Sequence, residues 1–132
     1  MTYPPMPAPP EEHEPPASIG IGNAVITCLR KAVRVSGRAT RAEFWYFVEF
    51  CVTVFLAATL LGLLVGGEET APFFVVVPYL LLLVPWISAG MRRLHDIGRS
   101  GGWCFLLFSG FGLLVLLILW TEPSQPHANR YG

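Results

Sequence analysis

Residues 44–65 read FWYFVEFCVTVFLAATLLGLLV, and this stretch decides the fold class. Thirteen of its 22 positions are Leu, Val or Phe, and Glu49 is the one charged residue. Such a run leaves no polar stripe of the kind a surface helix of a soluble domain requires. At 1.5 Å per residue the segment spans about 33 Å as a helix, enough to cross a hydrocarbon core of about 30 Å. Just before it, Thr40, Arg41, Ala42 and Glu43 form a capping box, in which the Thr hydroxyl accepts the Glu backbone N–H and the Glu side chain reaches back. A helix is therefore predicted to start there and to end at Gly66 and Gly67.

Two further apolar blocks follow. Residues 73–91 form a second predicted span, interrupted by Pro78 and Pro85, which remove backbone donors and kink the helix; neighbouring helices or Ser88 are expected to satisfy the freed carbonyls. Residues 103–120 form a third, with Trp103 and Trp120 at its ends and twelve Leu, Ile, Val or Phe positions between them. On insertion scales those twelve favour the bilayer by about 5 kcal/mol. Gly110 and Gly112 are expected to let a neighbouring helix approach closely.

Composition agrees with lipid as the missing cover. The 132 residues are 53% hydrophobic and 14% charged, against about 25% charged in soluble domains. The formal net charge is zero, yet eight of the nine Lys and Arg residues lie in Arg30–Arg41 and Arg92–Arg99. A chain so apolar, with its cations gathered at span ends, is expected to meet membrane lipids and not nucleic acid. Lys and Arg near span ends stay cytoplasmic, which predicts the amino terminus inside, the Glu68–Glu69 hairpin outside, the Arg92–Gly102 loop inside and the tail from Thr121 outside. The three cysteines, Cys28, Cys51 and Cys104, follow no pairing pattern, and no structural disulfide is expected.

Ahead of the spans, residues 1–17 hold most of the prolines and three glutamates, the composition of a disordered tail. Nothing in them has the basic start and apolar run of a cleavable signal peptide. Residues 18–37 place Ile21, Val25, Leu29 and Ala32 at helical spacing, with Arg30, Lys31 and Arg34 offset around the axis. This predicts an amphipathic helix, either lying in the headgroup plane or packed on the cytoplasmic end of the bundle, with the headgroup plane taken as its place. Residues 38–132 then make up a three-span domain, so the fold class is all-α membrane protein with an interfacial helix.

The densest chemistry lies in Arg92, Arg93, Leu94, His95, Asp96, Ile97, Gly98, Arg99 and Ser100. Arginine forks hold phosphate by two-point contact, and Ser100 with the free N–H groups opening the next helix adds an anion site. The same residues also serve structure, with Arg92 and Arg93 at the negative end of a helix and Asp96 paired to an arginine. Arg38, Arg41 and Glu43 are expected at the same membrane face, with Glu43 paired to Arg93 or Arg99. His95 beside Asp96 lacks a nucleophile or a second metal ligand at defined spacing, so no catalytic residue, metal or cofactor is expected.

The strings SGRATRAEFWYF at 36–47, RRLHDIGRSGGW at 92–103 and NRYG at 129–132 resemble a family of small bacterial inner-membrane proteins of unknown function, marked by SGRxxRxEFW, RRLHDxGRSGW and NR(F/Y)G. The resemblance covers about residues 25–132 and implies a multi-span inner-membrane protein without an established reaction. The chain departs from that pattern by an additional Gly before Trp103, by Glu49 at a usually apolar position, and by its proline-rich start. The expected role is a scaffold or binding protein whose basic cytoplasmic loop contacts lipid headgroups or a protein partner, with a homo-oligomer possible. The alternatives are a small oligomeric transporter or channel subunit built around Glu49 and the kinked second span, or an enzyme acting on a phosphorylated lipid.

Overall fold

The computed structural model describes residues 19–132, and the proline-rich tail at 1–17 lies outside the described residues. Four α-helices follow in order: α1, Ile21–Arg30; α2, Arg41–Gly66; α3, Ala71–Asp96; and α4, Gly112–Thr121. Short 3-10 segments occupy Gly67–Glu69 and Gly101–Phe108, and no strand occurs among the described residues.

α2 starts where the capping box places it, with Thr40 in extended conformation and its hydroxyl accepting the Glu43 N–H at 3.2 Å. It ends at Gly66 because Gly67 takes a φ of 71°, a left-handed value that relieves the last carbonyls and turns the chain. α3 runs antiparallel beside it as an uninterrupted helix through Pro78 and Pro85. The two helices meet closely at the hairpin, where a Cβ on Gly62 would lie 2.6 Å from the Ala71 Cα. Both are long and apolar enough to cross a membrane, and most of their surface faces outward. Outward leucines and valines such as Leu56, Leu64, Val65 and Leu81 are what a lipid solvent favours and water does not.

The third apolar block departs from expectation. In place of one helix over 103–120, the chain forms the 3-10 helix Gly101–Phe108, turns at Ser109–Phe111 and comes back as α4. The reason lies in the small residues at its centre: Ser109 bonds the Leu106 carbonyl, and Gly112 sits against that same carbonyl, where a Cβ would overlap it. Gly112 thus serves the chain's own turn instead of a neighbouring helix, and Gly110 has no neighbour within 4 Å of its Cβ position. Each arm is about 15 Å long, from eight residues at about 2.0 Å and ten at about 1.5 Å. An arm of that length reaches halfway through a hydrocarbon core. Trp120 anchors the returning arm. Its ring is 1% exposed, packs against Phe44 and Trp86 at 4.8 and 5.6 Å, and donates through Nε1 to the Gly90 carbonyl at 3.3 Å.

The consequence is topological. The residues from Thr121 onward lie at the Arg92–Arg99 end of the molecule, whereas the sequence reading sends them to the opposite end. The basic helix is also shorter than residues 18–37, ending at Arg30 and giving way to a turn through Val33. Ser88 holds that turn by facing the Lys31 and Arg34 carbonyls at 3.0 and 2.8 Å, a different task from repairing a proline kink.

Candidate functional site

The nine residues singled out in the sequence converge on one end of the helix pair, and six of them form a connected core. Arg92, near the end of α3, is fully buried, and its Nη1 meets Glu43 Oε1 of α2 at 2.6 Å. Glu43 therefore pairs with Arg92, not with Arg93 or Arg99. Arg92 is the arginine on the α3 face turned toward α2; four residues on, Asp96 has its own partners. The Cys28 thiol of α1 sits against the same carboxylate at 3.7 Å and against Arg92 Nη2 at 3.8 Å. Burial, reinforced by the Glu43 charge, pushes the Cys28 thiol up to about 11. Both partners are buried, with side chains 1% and 6% exposed.

The second half of the cluster centres on Asp96. Its Oδ2 receives Arg93 Nη1 at 2.5 Å and its Oδ1 receives Arg38 Nε at 2.9 Å, so one carboxylate bridges two guanidinium groups. Arg93 also donates to the Trp120 carbonyl at 3.1 Å and to the Glu122 carbonyl, placing a cation on the negative end of α4. Arg38 holds the tail, donating to the carbonyls of Gln125 at 2.6 Å and of His127 and Gly132 at 3.0 Å. Asn129 closes the loop by donating to the His95 carbonyl at 2.9 Å.

His95 is placed by stacking. Its ring lies 3.9 Å from that of Tyr131 with planes 6° apart, and its Nδ1 faces the Gly37 carbonyl at 3.2 Å. Asp96 faces the arginines and not His95, which separates the two groups whose adjacency suggests catalysis. Among the described residues, no group of three or more His, Cys, Asp or Glu side chains is arranged to hold a metal.

The other three residues stand at the margin. Ser100 caps the 3-10 helix by accepting the Gly102 N–H at 3.2 Å, so its hydroxyl serves the fold. Arg99 is exposed and lies over the Trp103 ring at 5.6 Å. Arg41 is exposed, with a long contact of 3.4 Å to the Thr121 carbonyl.

Arg92 and Arg93 therefore offer no surface to a headgroup. Their donors turn inward, and the outward cations are Arg30, Arg34, Arg41, Arg99 and Arg130, with Lys31 half-buried. Residues outside those nine complete the cluster: Cys28, Trp120, Gln125, Asn129 and Tyr131. The NRYG string carried the one available signal, as two of its residues grip the His95 segment.

The strings SGRATRAEFWYF, RRLHDIGRSGGW and NRYG thus meet in space, through Arg38–Asp96, Glu43–Arg92 and His95–Tyr131. The chain is 35% identical to the inner membrane protein YhaI of Escherichia coli K12 over 108 residues, 81% of this chain and 90% of the relative. It is 29% identical to the inner membrane protein YhaH of the same strain over 107 residues, 79% of this chain and 88% of the relative. An uncharacterized protein, YiiR, is 35% identical over 80 residues, covering 60% of this chain and 52% of the relative. No solved structure matches the chain. The profile of a protein family of unknown function, DUF805, matches residues 32–132, the same residues that build the two long apolar helices, the returning arm and the clustered end, and the chain belongs to that family of inner-membrane proteins.

Proposed function

We propose that the protein is a membrane scaffold whose cytoplasmic face meets anionic lipid headgroups, with α2 and α3 crossing the bilayer and residues 101–121 dipping into the cytoplasmic leaflet and returning. The observation that carries this reading is the surface of α1 and its following turn. Ile21, Ile26, Leu29 and Val33 are exposed there, beside Arg30, Lys31 and Arg34. Apolar side chains next to cations suit the boundary between acyl chains and headgroups, where each cation near an anionic surface contributes about 1 kcal/mol.

The test uses the full chain in vesicles of phosphatidylglycerol and phosphatidylethanolamine. Replacing Arg30, Lys31 and Arg34 together by Gln is expected to lower the phosphatidylglycerol fraction that co-purifies with the protein, without changing its melting temperature. An unaltered lipid fraction would sink the reading.

The orientation follows from the positive-inside rule applied to the clustered end. Five cations between Arg30 and Arg41 and three between Arg92 and Arg99 gather there, and the Glu68–Glu69 turn at the other end has none. Both the described amino-terminal residues and the tail then face the cytoplasm. A cysteine placed at exposed Ala128 is expected to react with an impermeant maleimide only after the inner membrane is opened. Labelling in intact spheroplasts would overturn this orientation.

A further inference from the structure

Two concavities lie one below the other along a single flank of α2. The deeper is an apolar groove of about 420 Å³ between α2 and α3, lined by residues including Val48, Val52 and Phe55 on one side and Tyr79, Leu83 and Trp86 on the other. The upper, of about 500 Å³, lies at the clustered end and is lined by Arg41, Ala42, Trp45, Tyr46 and Thr121. Arg41, Trp45, Val48, Val52 and Phe55 recur at three- and four-residue spacing, so they stand in one row on the helix. From Arg41 to Val48 the rise is about 10 Å, the step from headgroup level to the acyl region.

We propose that this flank is the seat of one glycerophospholipid with an anionic headgroup, its phosphate on Arg41 and an acyl chain in the α2–α3 groove. This rests on the proposed lipid-facing scaffold and names a particular site within it. Charge at the mouth selects the occupant. The Arg41 guanidinium is exposed and makes one long contact, 3.4 Å to the Thr121 carbonyl, which leaves most of its donor fork for a phosphate. Trp45 and Tyr46 line the same concavity as the cation, amphipathic rings of the kind suited to the interface. A second copy of the chain packing into the groove would use its apolar length and have no use for a cation there.

The experiment is native mass spectrometry of the full chain after delipidation, titrated with phosphatidylglycerol and separately with phosphatidylethanolamine. One phosphatidylglycerol is expected to remain bound in preference to phosphatidylethanolamine. Arg41→Gln is expected to weaken phosphatidylglycerol about fivefold, the effect of one cation near an anionic group, and to weaken phosphatidylethanolamine less, because its ammonium group offsets the same phosphate. Val52→Trp, at a half-exposed position, is expected to fill the groove and lower retention of both lipids. Retention that neither substitution changes overturns the proposal, as does displacement of the bound lipid by inorganic phosphate alone. A dimer in the unsubstituted protein that Val52→Trp dissociates also overturns it, since a second copy would then hold the groove. Replacing the three α1 cations serves as the separating arm. Loss of anionic preference only there leaves the scaffold reading standing without this site, and loss only with Arg41→Gln leaves this site standing without the α1 contact.

Discussion

Arg92→Ala is expected to destabilise the protein by about 3–5 kcal/mol, because it strands the Glu43 carboxylate without its charge partner in a buried site. The partner is 5% exposed, and the neighbour left to it is the Cys28 thiol, a weak donor. The ion pair also joins the first turn of α2 to the last turns of α3, so its loss loosens the two long helices where α1 rests on both. Removing both charges distinguishes a broken pair from lost packing. Glu43→Gln with Arg92→Met is expected to recover at least half of the lost stability, since a buried pair replaced by groups of similar volume is often close to neutral. The capping bond survives that change, because Thr40 accepts the backbone N–H of residue 43 and not its side chain. Thermal unfolding of the original protein and the two variants in one detergent makes the comparison, and a double variant no more stable than Arg92→Ala would contradict the role given to the charge pair.

Asp96→Ala is expected to cost about 3 kcal/mol and to release the tail. The carboxylate holds Arg93, which is fully buried, and Arg38, which carries the carbonyls of Gln125, His127 and Gly132. Without it two guanidinium groups face each other uncompensated, and Arg38 loses the contact that aims its fork. The readout is limited proteolysis of the full chain: cleavage between Thr121 and Tyr131 is expected to quicken in Asp96→Ala. In Arg99→Gln, an exposed change on the same loop, it is expected to stay at the original rate, with stability within about 0.5 kcal/mol. An Asp96→Ala tail as resistant as the original would contradict the assigned bridge.

These two pairs also show how far residue-level reading carries. α2 was legible at both ends because its signals are local: a capping box at Thr40 and two glycines after Val65. The length and apolar character of α3 were equally plain. The returning arm was not, since summed hydropathy weighs Phe105, Phe111 and Leu113 alike whether the chain continues straight or folds at Ser109–Gly112. What decides between them is tertiary, the indole of Trp120 wedged between Phe44 and Gly90. The gathering of Arg38, Glu43, Arg92, Arg93 and Asp96 at one end could be foreseen from the alternation of spans and loops. Which arginine meets which acid could not, because adjacent residues such as Arg92 and Arg93 project from the helix about 100° apart and the rotation of α3 against α2 is set by packing. Cys28 gave no signal at all, a small thiol being indistinguishable in sequence from any other buried apolar residue.

The hairpin of the third apolar block has a bearing on the shape of the protein within its host. With the topology proposed above, the half of the molecule nearest the cytoplasm contains both spanning helices, the two short arms and the amphipathic segment. The far half contains little more than a pair of rods. Such a wedge displaces more lipid from one monolayer than from the other, so its fit depends on lateral pressure and curvature. Crowding many copies together would bend a flat sheet toward the broader end.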